Sequence, residues 1–308
     1  MILTVTLNTA VDLTYHVPTL RPHTTHRVTE TQDRPGGKGV NVARVLARLG
    51  HPTTVTGFAA APPEPGSARP SPANPTSRTP WSPSAAPPAA PSPWSTPQRQ
   101  HHPAQRTRPD RHRRRVGGPE EGVRLLLPGA EAVALCGSLP PGVPVGAYAH
   151  LIREARSAGV PVLLDTSGEP LRRGIAARPD LVKPNATELA DLTGTRDPRH
   201  AARAARRRGA RAVVASLGAE GLLAETPVGA WRAAPPAPVR GNPTGAGDSV
   251  VAGLLAGLTE GADWPDRLVR AAALSAATVH ASAAGEYDEA AYRDLAARIT
   301  ATALPGAA

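Results

Sequence analysis

Residues 59–115 contain no Val, Ile, Leu, Met or Phe. That gap constrains the fold more than any motif does, because a core has to be assembled from the chain on either side of it. The gap holds fifteen prolines, with Trp81 and Trp94 as its large apolar residues and Ser, Thr, Ala and Arg filling most of the rest. Ordering a backbone costs about 1–2 kcal/mol per residue, and this composition has little apolar area to offset it. Proline at such density also excludes helices and central strands. The segment is therefore expected to be disordered or polyproline-like. It carries most of the charge as well: nine Arg against Glu64 and Asp110 between residues 61 and 115 make +7 of the chain's +10. The near-neutral remainder is what a protein acting on small molecules would show. Arg-rich residues 106–115 are a candidate arm for acidic partners, but no aromatic platform accompanies them, so nucleic acid is not the expected partner.

Two origins for the segment stay open. One is a natural linker. The other is a stretch read one base out of frame, since in a GC-rich gene such a slip turns Ala, Gly, Val, Leu and Asp codons largely into Pro, Arg, Ser and Thr. Arg outnumbers Lys 33 to 2, as such a gene would give. The frameshift is the preferred reading, entered near Ala59 and corrected near Val116.

On both sides of the gap, apolar runs alternate with helical periodicity. Residues 2–7, 53–58, 131–136, 160–164, 180–183 and 212–216 read as strands, with a further short extended piece at 14–17. Helices are expected at about 145–157, 268–282 and 288–302, and a basic surface helix at 200–208. Strands and helices in alternation predict an α/β fold, a mainly parallel sheet covered on both faces, with ligands gathering at the carboxyl ends of strands. A single cysteine, Cys136, excludes an internal disulfide and points to a reducing cytoplasm, with Cys136 buried at a strand end. The N-terminus lacks the basic region of a signal peptide, and no apolar run approaches the ~18 residues of a membrane span.

The chemistry concentrates in short glycine-rich runs. Gly241-Asn242-Pro243-Thr244-Gly245-Ala246-Gly247-Asp248-Ser249 feeds a helix whose large apolar residues are Val250, Val251, Leu254, Leu255 and Leu258, an amphipathic stripe. Amides of Gly245, Ala246 and Gly247 at that helix start would make an anion cradle. Asp248 beside such a cradle would repel an anion unless it has a task, such as taking a proton from an attacking hydroxyl; the plainer reading is an Asp-capped turn. The second run is Arg34-Pro35-Gly36-Gly37-Lys38-Gly39-Val40-Asn41-Val42-Ala43-Arg44, also at a helix start, and it is not a Walker A loop. The chain's two lysines, Lys38 and Lys183, both lie in such motifs. Lys183 opens Lys183-Pro184-Asn185-Ala186-Thr187-Glu188, where Glu188 alone could be a first-turn acid favoured by the helix dipole. Ser216-Leu217-Gly218-Ala219-Glu220-Gly221 reads as a tight turn between strands.

Taken together, the motifs at 34–44 and 241–249 resemble the two signatures of the pfkB/ribokinase family of sugar kinases. Within that family the closest branch contains 1-phosphofructokinase and tagatose-6-phosphate kinase. Residues 137–144, Gly-Ser-Leu-Pro-Pro-Gly-Val-Pro, look like the S-L-P-P-G-V segment of that branch, with Cys136 where Ser is usual. The resemblance implies a ribokinase-like fold with a small β lid, here left incomplete by the proline-rich gap. It implies phosphoryl transfer from ATP to a ketohexose phosphate, with fructose 1-phosphate, tagatose 6-phosphate and fructose 6-phosphate as alternatives. Asp248 would be the general base and Gly245, Ala246 and Gly247 the amide cradle. Asp12, Gly37, Lys38, Asn41 and Ser138 would bind the sugar phosphate, although Asp12 could equally be a turn residue. Lys183, Asn185, Ser216, Gly218, Gly221 and Thr244 would border ATP, and Glu188 with Asn185 would hold Mg²⁺, partly through water. Relatives carry a Thr-Arg element for the substrate phosphate within the span that the gap occupies, and no counterpart is assignable. The resemblance also implies pairing of two chains through their lids, weakened where the lid is incomplete, and no nucleic-acid or membrane partner.

Overall fold

The computed structural model describes residues 1–19, 21, 23–58 and 119–305, so the expectations for the proline-rich segment lie outside the described residues. The chain opens with β1 (Ile2–Thr6), the hairpin strands β2 (Ala10–His16) and β3 (Glu30–Gly36), helix α1 (Lys38–Arg48) and β4 (Thr53–Gly57). It continues as α2 (Pro119–Leu126), β5 (Ala132–Cys136), α3 (Ala147–Ser157), β6 (Val162–Asp165), α4 (Gly168–Ala176) and β7 (Leu181–Val182). Then come α5 (Ala186–Thr193), α6 (Pro198–Arg207), β8 (Ala212–Ser216), β9 (Leu222–Glu225) and β10 (Ala230–Ala233). Helices α7 (Ala246–Thr259), α8 (Trp264–Thr278) and α9 (Glu289–Arg298) precede a last strand, β11 (Ala301–Ala303).

Nine strands form one sheet in the order β11-β10-β9-β8-β7-β6-β5-β1-β4. From β4 to β8 every pairing is parallel, and β9, β10 and β11 continue the sheet antiparallel. Successive residues of a strand face opposite sides, so the apolar runs fill two cores at once. Ile2, Ala132, Ala134, Leu163 and Val214 face α1, α7, α8 and α9, while Leu3, Val5, Val133, Leu135, Leu164 and Val213 face α3, α4, α5 and α6. Cys136 and Tyr148 are fully buried as the sequence predicts, and the Tyr148 hydroxyl donates to the carbonyls of Cys136 and Gly137 at 3.0 and 3.1 Å.

The structure corrects several local expectations. The extended piece at 14–17 is the end of a longer strand, β2, held in register against β3 from Ala10↔Gly36 to His16↔Glu30. The terminal helix stops at Arg298, and the chain re-enters the sheet edge as β11 beside β10. Helix α7 is buried all round from Asp248 through Ser249 and on to Gly257, beyond the single amphipathic stripe expected. Its two inward glycines explain this. A Cβ on Gly253 would lie 2.8 Å from the Cα of Ala271, and one on Gly257 would lie 2.7 Å from Cγ of Arg267, so α8 approaches closer than side chains permit. Helix α6 is a surface helix as expected, with Ala201, Ala202 and Ala205 buried on its inner side and Arg199 and Arg203 reaching the buried Glu225 at 2.8 and 3.2 Å.

Candidate active site

Parallel strands deliver their carboxyl ends to one edge of the sheet, and the motifs collect there. Asp165, the last residue of β6, has a wholly buried side chain. Lys38 Nζ from the first turn of α1 lies 3.2 and 3.3 Å from its two carboxylate oxygens, and Lys183 Nζ lies 3.3 Å from Oδ1. Both of the chain's lysines therefore converge on one aspartate. In the sequence Asp165 simply follows the strand expected at residues 160–164. The available signal was a carboxylate closing an otherwise apolar strand in a sheet whose carboxyl edge binds ligands.

Asp248 sits in the first turn of α7, 6% exposed. Its Oδ2 accepts a hydrogen bond from Nδ2 of the buried Asn41 at 3.0 Å. Burial, and then the charge of Asp165, push the Asp248 carboxyl up to about 7, against the opposing pull of the Asn41 hydrogen bond, Lys38 and Lys183. Burial would lower Lys38, but Asp165, Asp248 and, more weakly, Glu188 outweigh it and hold the ammonium above its usual range. Asp248, Asp165, Lys38, Lys183 and Glu188 thus belong to one electrostatic neighbourhood. A carboxylate that titrates near neutrality can accept a proton from an alcohol at physiological pH.

The anion cradle is narrower than the sequence suggests. Gly245 caps α7 in the left-handed conformation, φ 85°, where a side chain would be strained, and a Cβ there would also press within 3.1 Å of Ala284 Cα. Of the three amides expected to form a cradle, that of Ala246 is already taken by the carbonyl of Pro243 at 3.1 Å, closing a turn. Lys183 stands against the same turn, its Nζ 3.5 Å from where a Gly247 Cβ would be. Thr244 is exposed beside the turn, its N–H donating to Asn242 Oδ1 at 3.0 Å.

On the other flank of Asp248 the glycine pair at the end of β3 lets neighbouring groups press close on the main chain. A Cβ on Gly36 would fall 2.2 Å from Cγ of Asp12, so the Asp12 carboxylate lies directly on that glycine, with Oδ2 buried and unpartnered. Gly37, φ 109°, caps α1 and packs on Thr6 and on the main chain at Asn8 and Thr9. Ser138 is exposed and accepts from Asn8 Nδ2 at 2.9 Å.

A cavity of about 670 Å³ adjoins Gly247 and is lined by Asn185, Ser216, Gly218, Gly221, Val250 and Ala276. One wall is backbone and small side chains, where Asn185 bridges to Ser216 in parallel and α8 presents Ala272, Ser275 and Ala276, and Leu222, Val239 and Arg240 add to the lining. Asn185 and Glu188 form a capping box on α5: Asn185 Oδ1 accepts from Glu188 N–H at 2.8 Å and Glu188 Oε2 from Asn185 N–H at 2.9 Å. The N-x-x-E spacing therefore has a structural origin whatever else it does. Among the described residues no three His, Cys, Asp or Glu side chains come close enough to cage a metal. Mg²⁺ arriving on nucleotide phosphates retains much of its water and takes one or two carboxylates, a demand that the half-buried Glu188 fits.

Comparison with known proteins agrees with this geometry. The profile of the pfkB family of carbohydrate kinases matches residues 3–62 and 119–290. A 1-phosphofructokinase of Rhodobacter capsulatus is 37% identical over 290 residues, covering 89% of each chain. A 1-phosphofructokinase of Xanthomonas campestris is 33% identical over 323 aligned positions, covering 98% of each. Among solved structures, a possible 1-phosphofructokinase from Thermotoga maritima superposes with a TM-score of 0.73 at 20% identity, covering 99% of both chains. That last likeness speaks to the fold, which is ribokinase-like as the sequence implies.

Proposed function

The chain belongs to the pfkB family of carbohydrate kinases, an ATP-dependent group, and from that premise we propose that it phosphorylates fructose 1-phosphate to fructose 1,6-bisphosphate. The observation that carries the reading is Asp248, a buried carboxylate titrating near 7 and held by Asn41 between two lysines and a glycine-lined cavity. The names of the two sequence relatives support the choice of fructose 1-phosphate over tagatose 6-phosphate or fructose 6-phosphate.

In the proposed reaction the nucleotide occupies the cavity bordered by Asn185, Ser216, Gly218 and Gly221, with Thr244 and Lys183 near its phosphates. Asp12, Gly37, Lys38, Asn41 and Ser138 hold the sugar phosphate. Asp248 takes the proton from the attacking hydroxyl as its oxygen bonds to the γ-phosphorus and the bond to the ADP oxygen breaks. Amides of Gly245 and Gly247 and the Lys183 ammonium face the charge on the transferring group; oriented donors of this kind are worth about 2.7–4 kcal/mol each. Mg²⁺, with Glu188 and Asn185 as its protein-side neighbours, would neutralise phosphate charge when bound. Val11, Leu13 and Tyr15 on the outward face of β2 are exposed, which supports pairing of two chains through their lids.

A second reading, a member of the family impaired in turnover, is favoured by one observation: the family match stops at residue 62 and resumes at 119. We propose that residues 59–115 are a frameshifted stretch of an ordinary kinase domain. One coupled assay of ATP turnover against the three sugar phosphates, run on this chain and on a frame-corrected version, tests both readings. Preference for fructose 1-phosphate in the corrected chain supports the first; activity restored only by correction supports the second. Preference for another of the sugars overturns the substrate. Resequencing that finds an uninterrupted open frame ends the frameshift proposal.

A further inference from the structure

Asn41 can hold Asp248 only if its carboxamide faces the right way, and the structure contains a residue that fixes this. Arg44, one turn along α1, donates from Nη1 to Asn41 Oδ1 at 3.3 Å and from Nη2 to the carbonyl of Pro35 at 2.6 Å. A guanidinium has donors and no acceptor, so the Asn41 atom that faces it must be the oxygen. The amide nitrogen is then turned toward Asp248, where it donates at 3.0 Å. Gly285 closes over the pair, a Cβ there falling 3.0 Å from Arg44 Cδ and 3.2 Å from Asn41 Oδ1, so the main chain packs directly on both side chains. Pro35 belongs to β3, and the guanidinium therefore ties the lid hairpin to the same amide.

We propose that Arg44 is a positioning residue, which by orienting the Asn41 carboxamide keeps a hydrogen-bond donor on Asp248. The proposal rests on Asp248 being the proton acceptor. The charged groups that face Asp248 are Asp165 at the end of β6, Lys38 on α1 and Lys183 after β7, and none of them contacts Arg44 in the structure's hydrogen bonds or ion pairs. Removing Arg44 frees the amide to rotate. Its oxygen would then oppose the Asp248 carboxylate, so the proton is held to higher pH and less of the enzyme carries a competent base.

The test is the pH dependence of kcat/KM for Arg44→Ala, Asn41→Ala and the double variant, all in the frame-corrected chain if the native one is inactive. Arg44→Ala is expected to move the acid limb upward by about half to one pH unit, a loss of roughly three- to tenfold on that limb. Asn41→Ala is expected to move it at least as far, and the double variant no further than Asn41→Ala alone. An unmoved limb in Arg44→Ala, or shifts that add in the double variant, overturns the proposal. Should Arg44→Ala fail to fold, Arg44→Lys replaces it. One ammonium lacks the fork that bridges both acceptors, so a smaller upward shift is expected, and a limb identical to the parent's is the overturning result. Undiminished turnover in Asp248→Asn would instead remove the premise, whatever Arg44 does.

Discussion

The two sides of the cleft are built on opposite principles. Around Asp248 the residues are charged and paired: Asp165 with Lys38 and Lys183, Asp248 with Asn41, Asn41 with Arg44. Across Gly247 the cavity is lined mostly by glycines, alanines and apolar residues such as Leu222, Val239 and Val250, with Ser216, Ser275 and Asn185 as its small polar groups and Arg240 as its charged one. One side does its work through the identity of particular atoms and their ionisation. The other offers shape, a space into which a flat ring and ribose can slide. The comparison teaches that substitutions on the first side should change rate and pH dependence, whereas those on the second should change nucleotide affinity.

The largest contrast is in pH. With Asp248 titrating at about 7, kcat/KM should approach a tenfold fall per pH unit well below that value, hence drop about 50-fold between pH 7, where half the carboxylate is ionised, and pH 5. The sign follows from the base having to be ionised to act. A flat profile down to pH 5 would break the distinction between the two sides. A smaller effect is expected across the cleft. Ala276, 7% exposed on the wall formed by α8, replaced by Phe should raise the KM for ATP by about tenfold and leave the acid limb in place. A shift of the limb in Ala276→Phe would mean that the two sides are not separable.

The smallest effect is on stability, and it too distinguishes the sides. The folded chain holds the Asp248 proton up to about 7, whereas the ordinary value is 3.8, so the folded state binds more protons in between. Stability contributed by the protonated form is complete below about pH 4 and lost as pH rises through 7. Asp248→Asn removes that loss. Its melting temperature should exceed the parent's by several degrees at pH 8, an upper bound of about 4 kcal/mol, and match it near pH 4. Thermal melts at the two pH values check this; an equal effect at both would contradict the pKa.

Much of the architecture was legible in the sequence because buried parallel strands leave uninterrupted apolar runs, and β1, β5 and β8 fall where those runs fall. Helix α7 was legible as a helix, but its apolar stripe understated how far it is buried. Its polar-looking spacing consists of Gly253 and Gly257, which are there for contact with α8. The glycine motifs marked the site, since close backbone approach demands glycine wherever it occurs. The partnerships were not legible. That Ala246 would give its N–H to Pro243, and that Asn41 would face Asp248, depends on residues brought together only by the fold. Asp165 illustrates the same limit. A lone aspartate after a strand becomes informative only when lysines at positions 38 and 183 arrive on either side of it.

The most direct measurement is turnover by Asp248→Asn in a sample whose ATP binding is titrated alongside. Loss of the base should lower kcat by roughly 10²–10⁴-fold while ATP binds with nearly the parent's affinity, since the cavity proposed for the nucleotide is lined by other residues. Turnover within tenfold of the parent, with binding intact, would contradict the claim that this carboxylate takes the proton.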